Sequence, residues 1–278
     1  MRLLTLKCVL VATDLEDGSG PALRTAARLA HLAGAELHVL HVTGERLAGG
    51  VPRLHEHFVR LVPDAPWLAS AEVIPGSAAS VIVEHAGNLG VDALILGPHR
   101  GPGIHEGELG STAAAVVRGA SCPCLVAATE LRLPLERVLA PIDFSDASRA
   151  ALSVAVSWAS ALRPRDRRAQ LTALHVAPDP TAADIPRKLH DYVQWARTLT
   201  GDAARVDIRE TVVPGVDPAE AILRAAAEPA DLLVMGTRAA HQDPSSLGSV
   251  SAAVARATPC PLLLVPPVVL EREAVADA

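Results

Sequence analysis

Glycine, serine and threonine closing an apolar run mark the first place where this chain could do chemistry. The stretch GPHRGPGIHEGELGST, residues 97–112, follows VDALILG and ends on Gly110-Ser111-Thr112, where a short Ala/Val-rich helix is predicted. A helix start presents first-turn N–H groups without backbone partners, its dipole favours negative charge, and glycine lets an anion approach the main chain. Strand, loop and helix start in that order make a place for phosphate, although glycine-rich loops after strands are common in α/β proteins. A weaker copy follows Gly236 and closes on Gly248-Ser249.

Other polar residues admit more than one reading. Asp14 and Asp143 end β-branched runs, where a carboxylate suits either a ribose hydroxyl or the N–H groups at a helix start. Arg100 reads as a bidentate phosphate clamp, as bulk filling the sugar space, or as a solvated loop arginine. His99, His105, Glu106 and Glu108 have the residue types of a metal site, but loop spacing gives them no defined geometry, and loop polarity is the preferred reading. His38 and His41 lie three apart on a predicted strand and face opposite sides, so they do not ligate together. His41 and His175 read as structural strand-end residues. Enzyme signatures are missing. The only lysines, Lys7 and Lys188, stand far from the glycine loops, and no G-x-S-x-G elbow or loop-borne carboxylate pair is present.

The elements that must position these residues occur twice. CVLVATDLEDGSGPALRTAARLA (8–30) aligns with RVLAPIDFSDASRAALSVAVSWA (137–159), placing Asp14 on Asp143 and Ser19 on Ser148. Further on, His41-Val42 matches His175-Val176, VIPG matches VVPG, Gly97 matches Gly236, and Gly110-Ser111 matches Gly248-Ser249. Residues 1–132 and 133–270 are the predicted domains, with 271–278 a C-terminal tail. Each copy alternates strands and helices, which implies right-handed crossovers and a buried parallel sheet. The expected fold is therefore α/β, with two tandem doubly wound (Rossmann-like) domains. Each would have a mainly parallel five-stranded sheet with ligands at the strand carboxyl ends. The short linker, residues 129–136, and the apolar last strands predict a pseudo-two-fold dimer of the two domains.

Composition excludes several classes. The net charge of −6 argues against a nucleic-acid groove, and RPRDRR (163–168) reads as a solvated loop. Half the residues are hydrophobic but only 2% aromatic, so the cores must be aliphatic. Cys8, Cys122, Cys124 and Cys260 form no C-x-x-C pair and read as buried thiols of a reducing compartment. Lys7 interrupts the N-terminal apolar run and no cleavage site follows, so a signal peptide is not expected. No stretch reaches the length of a membrane span. The expected location is the cytoplasm.

On these residues the chain resembles the universal stress protein family in its tandem form. The resemblance is carried by APIDFSDAS, the repeated LHV strand end, the Pro-Gly turn before a helix, and Cys-Pro before the last strand of each copy. The family's nucleotide motif is a glycine, two residues, a glycine, nine residues, then Gly-Ser or Gly-Thr. The first copy keeps the thirteen-residue step from Gly97 to Gly110 but has Arg100 at the middle glycine; the second is one residue shorter and has Ala239 there. The resemblance implies an adenine-nucleotide site in each copy. Ala12, Thr13 and Asp14 would line adenine and ribose, with Val42, Leu96 and Gly97 beside them and Gly110, Ser111 and Thr112 on the phosphates. The second set would be Pro141, Ile142, Asp143, Val176, Met235, Gly236, Gly248, Ser249 and Val250. ATP is the expected ligand, favoured in the first copy, with AMP or ADP and accompanying Mg compatible. A stress-response regulator with a protein partner follows, with a homodimer admitted and ATP hydrolysis at most slow and incidental. The rival reading is a scaffold of the same fold that binds no nucleotide.

Overall fold

A strand covered on both faces has no polar face to alternate, and runs such as VLVA and LILG have that character. The computed structural model describes residues 6–44, 50–63, 68–97, 110–182, 184–200, 203–228, 230–237, 247–267 and 269. The chain divides into two compact units, one spanning Leu6–Leu131 and the other beginning at Arg132.

The first unit runs β1 (Cys8–Thr13), α1 (Gly20–Ala33), β2 (Glu36–Thr43), α2 (Gly50–Leu61), β3 (Leu68–Pro75), α3 (Ala78–Leu89), β4 (Ala93–Leu96), α4 (Ser111–Gly119) and β5 (Cys124–Val126). Its strands lie in the order β3-β2-β1-β4-β5, all parallel. The chain first builds to one side of β1 and then returns to the other, so β1 and β4 flank the switch point where open α/β sheets hold ligands. Helix α1 packs on α2, and α3 on α4, to cover the sheet. Helices α1 and α3 stop at Gly34 and Gly90, whose φ of 65° and 62° would strain any other residue.

The second unit repeats this plan with β6 (Arg137–Pro141), α5 (Asp146–Ala161), β7 (Ala169–Ala177), α6 (Asp184–Thr200), β8 (Val206–Pro214), α7 (Pro218–Ala227), β9 (Leu232–Gly236), α8 (Ser249–Ala257) and β10 (Leu262–Val265). Its strand order is β10-β9-β6-β7-β8, again all parallel. The expected α/β fold with a parallel five-stranded sheet is therefore present in each unit. Ser145 caps α5 by accepting the N–H of Ser148. Asp217 caps α7 through Ala219 and Glu220, with Pro218 in the first turn.

The cores are aliphatic. Leu10, Leu94, Ile95 and Leu125 in the first unit, and Leu152, Leu171 and Leu233 in the second, are fully buried; each such side chain contributes roughly 1.5–3 kcal/mol by leaving water. One aspartate in each unit ties the first strand to the fourth at their amino ends. Asp92 Oδ2 accepts the N–H groups of Lys7 (2.7 Å) and Cys8 (3.0 Å), and Asp231 Oδ2 accepts those of Glu136 and Arg137 (both 2.9 Å).

The units differ at the opposite end of those strands. The β1–β4 ladder continues to Ala12 opposite Leu96, whereas β6–β9 pairs only Val138 with Leu232 and Leu139 with Leu233. Pro141 stands where the first unit has Ala12. The next residue, Ile142, donates its N–H to Leu174 O on β7 at 2.7 Å, so the nitrogen of Pro141 faces β9. Proline has no N–H to give there, and the ladder stops.

Candidate functional site at the carboxyl ends of the sheets

The first strand of each unit turns abruptly into its helix through a bulky left-handed residue: Leu15 has φ 65° and Phe144 has φ 64°. Such a conformation costs on the order of 1–3 kcal/mol and persists only where the surroundings impose it. An aspartate imposes it here. Asp14 Oδ1 accepts the N–H of Glu16 at 3.0 Å; Asp143 Oδ1 accepts the N–H of Ser145 at 3.0 Å and its hydroxyl at 2.5 Å. Both carboxylates therefore close Asx turns, and both residues are exposed at the crevice. Partial burial pushes the Asp143 carboxyl up, but hydrogen bonds from Ser145 and Ser148 outweigh it and hold the group below the usual range.

In the first unit this turn is tied to α2. Thr13 Oγ1 donates to Ser19 Oγ at 2.9 Å and accepts the N–H of Leu15 at 3.1 Å, while Ser19 Oγ donates to Glu16 O at 2.8 Å. His57, 7% exposed, brings Nε2 to 3.3 Å from Ser19 Oγ. Arg60 reaches His57 Nδ1 at 3.1 Å and Asp17 at 2.6 Å through Nη2. A guanidinium only donates, so Nδ1 must accept, the ring proton sits on Nε2, and His57 donates to Ser19. That tautomer is the wrong one for drawing a proton from the serine, as a nucleophilic serine would need.

The second unit fills the same position with a phenol. Tyr192 OH lies 2.8 Å from Ser148 Oγ, and both reach the carbonyl of Ser145, at 2.5 and 3.0 Å. The Phe144 ring packs 4.5 Å from that of His175 and edge-on to Tyr192, and the Arg149 guanidinium stands 5.2 Å from the Tyr192 ring centre and 4.8 Å from that of Trp195. An aromatic cluster here replaces the charged chain of the first unit. In both units the strand-end histidine bridges β-strand termini: His41 Nδ1 donates to Thr13 O at 2.9 Å, and His175 Nδ1 to Ile142 O at 2.7 Å.

The fourth strands end on glycines in different surroundings. A β-carbon on Gly97 would meet Ser19 Cα at 3.6 Å, an ordinary contact; one on Gly236 would stand 2.4 Å from the backbone of Ala147. The helix starts differ too. Gly110 enters α4 with φ −59°, open to any residue, whereas Gly248 enters α8 with φ 89° and needs to be glycine. The N-cap residue of each helix is a glycine and gives no side-chain cap, and the electropositive end of a helix favours an anionic acceptor. Ser111 and Ser249 are exposed, and Thr112 and Val250 half-buried. Ser251 Oγ donates to Gly236 O at 3.0 Å, tying α8 to the end of β9. Among the described residues no cluster of His, Cys, Asp and Glu is arranged to hold a metal.

A family model described as the universal stress protein family matches residues 5–61, 69–128 and 134–266, so that both units are covered. The chain belongs to the universal stress protein family. Universal stress protein YxiE of Bacillus subtilis is 31% identical over 142 residues, which span 42% of this chain and 96% of that protein. A universal stress protein from Archaeoglobus fulgidus has the same fold, with a TM-score of 0.66 at 20% identity over 95% of this chain and 97% of that one. Another universal stress protein was crystallised in complex with cAMP; it is 25% identical and matches 44% of this chain and 95% of its own, with a TM-score of 0.38.

In this universal stress protein the register places Ala12 beside Leu96 and Thr13 beside His41, with Val42 next along β2, so the first unit's strand-end residues share one edge of the sheet. In the second unit Pro141 pairs with Leu174, while Ile142, Met235 and the β9 end are not joined by a ladder. Arg100, His99, His105, Glu106, Glu108 and Ala239 lie outside the described residues. His57, Arg60 and Tyr192 were not legible as partners of Ser19 and Ser148. They sit in the region between the second and third strands, where the two copies do not align, and only their positions on amphipathic helices hinted that one face packs inward.

Proposed function

We propose that this universal stress protein is a stress-response regulator that binds ATP at the carboxyl end of its first unit's sheet and passes occupancy to a protein partner. The observation carrying the reading is the state of the switch point in that unit. The β1–β4 ladder is intact to Ala12 and Leu96, Gly97 has side-chain room beside Ser19, and an uncapped α4 starts at Gly110. Asp14, exposed at the same edge, supplies a carboxylate for ribose. In the second unit Pro141 ends the ladder early and α5 closes on Gly236, which favours the first site for ATP and leaves AMP or ADP as the ligand of a reduced second site. Mg would accompany the phosphates. The protein acts in the cytoplasm; no helix among the described residues is long and apolar enough to cross a membrane. Its role is binding, with ATP hydrolysis at most slow and incidental, in keeping with the His57 tautomer that leaves Ser19 unactivated.

The rival reading is a scaffold without nucleotide, favoured by Arg100 and Ala239 at the middle-glycine positions. Mass spectrometry of nucleotide released from the purified protein, followed by equilibrium titration with ATP, separates the two. Bound adenine nucleotide and saturable binding support the regulator. No binding at millimolar ATP leaves the scaffold.

A further inference from the structure

The two units hold their first turn by the same device built from different chemistry. Ser19 and Ser148 occupy matching places at the helix starts, and each bonds back to the carbonyl three residues before it, Glu16 O or Ser145 O. Each is met by one side chain from the helix after the second strand. In the second unit that side chain is Tyr192, and burial pushes its phenol up to about 12, so it keeps its proton throughout the physiological range. In the first unit it is His57, the side-chain type whose charge changes there.

We infer that His57 is a proton-gated positioning residue: neutral, it clamps α2 onto Ser19 and the β1–α1 turn, and protonated, it releases that turn in the first unit alone. The geometry supplies the gate. His57 Nδ1 accepts from Arg60 Nη2 at 3.1 Å, and the same Nη2 is anchored by Asp17 at 2.6 Å. A second ring proton would have to sit on Nδ1, the only nitrogen still without one. There it would face an N–H and a positive charge in place of an acceptor. The contact with Arg60 would then change from attraction to repulsion, and the clamp that holds α2 against the turn would loosen. Ser19 Cα is the atom beside Gly97, so that loosening reaches the edge of the sheet.

Among the described residues, the charged groups acting on His57 are Arg60 on its own helix and Asp14, Glu16 and Asp17 on the turn it clamps. Burial first, and then Arg60, disfavour the charged imidazole, against the three acids. The clamp is therefore closed at neutral pH and opens only in acid.

The inference of crevice opening is independent of any ligand, whereas a consequence for ATP rests on the function proposed above, so the test reads the two separately. Hydrogen exchange of segment 14–20, and of its counterpart 143–149, is measured on the full chain at about pH 7.5 and about pH 5, with rates corrected for intrinsic exchange. Protection of 14–20 is expected to fall severalfold in acid while 143–149 is unchanged. His57→Tyr, which copies the second unit's clamp, is expected to abolish the acid response and keep protection at neutral pH. His57→Gln, an uncharged donor, serves if the tyrosine disturbs packing, and nitrogen chemical shifts of His57 in the wild type should show the proton on Nε2 at neutral pH. Equal acid sensitivity in both segments, an unaltered response in both variants, or a proton on Nδ1 at neutral pH would overturn the inference. ATP titration at the two pH values is the final arm. Loss of ATP affinity in acid that His57→Tyr prevents extends the gate to the ligand, while no ATP binding at either pH counts against the proposed function and leaves the exchange result standing.

Discussion

A β-carbon added to Gly236 would stand 2.4 Å from the carbonyl carbon of Ala147, inside the distance any real side chain tolerates. The start of α5 therefore rests directly on the end of β9. Gly236→Ala should force that helix away, at a cost of about 1–3 kcal/mol as for other overpacked sites. Gly97→Ala, with 3.6 Å to Ser19 Cα, should leave folding nearly untouched. Calorimetric melting of the two variants checks the contrast, and equal destabilisation would refute it.

Asp92 and Asp231 each receive two backbone N–H groups at the start of the first strand. Removing the acceptor strands those donors, and bonds to a charged group contribute about 1.5–3 kcal/mol each where water cannot replace them. Because these sites are partly exposed, Asp92→Ala and Asp231→Ala should each lose about 1–3 kcal/mol. Urea unfolding followed separately in each unit by hydrogen exchange would locate the loss in the unit that carries the substitution.

Acid should weaken the fold in two stages. His57 is held below its ordinary value of 6.5, so the unfolded chain takes up a proton that the folded one refuses, and stability falls as pH drops below about that value. Asp143 and Glu130 are held below 3.8 and 4.5, and the stability they contribute above those values is lost as pH falls further. For Glu130, burial opposes the shift, and hydrogen bonds from Arg28 and Arg24 prevail. His57→Tyr should erase the first stage and keep the second. A single transition shared by wild type and variant would contradict this.

The aspartate of the turn has two duties under the proposed function, and one pair of substitutions parts them. Asp14→Asn keeps an oxygen to accept the N–H of Glu16, but loses the charge; Asp14→Ala loses both. If Asp14 binds ribose, asparagine should weaken ATP binding with little change in melting temperature, and alanine should lower both. The matching Asp143 variants should affect ATP less. An Asp143→Ala variant that abolishes binding while Asp14→Ala leaves it intact would reverse the ranking of the two sites.

Much of this architecture was legible because a parallel sheet writes itself in uninterrupted apolar runs, and because the chain states its plan twice. The alignment of Asp14 with Asp143 and of Gly97 with Gly236 puts the crevice residues at strand ends from the sequence alone. It could not show that equal letters sit in unequal surroundings. Gly97 and Gly236 differ in how closely a helix approaches, Gly110 and Gly248 in the sign of φ, and neither difference leaves a local trace. Pro141 was visible, but its effect depends on which neighbour its nitrogen faces. His57 and Tyr192 are not legible as partners because they meet Ser19 and Ser148 through tertiary contacts 38 and 44 residues away, from segments of unlike length.

The second unit's glycines also bear on how such motifs age. Gly236 is fixed by the approach of Ala147, and Gly248 by its φ of 89°. Both would be retained by the demands of folding in a descendant that bound nothing there. A motif of this kind can thus outlive its ligand, surviving in a lineage as a fossil of the backbone, and a catalogue built on glycine spacing would go on counting the unit as a binder.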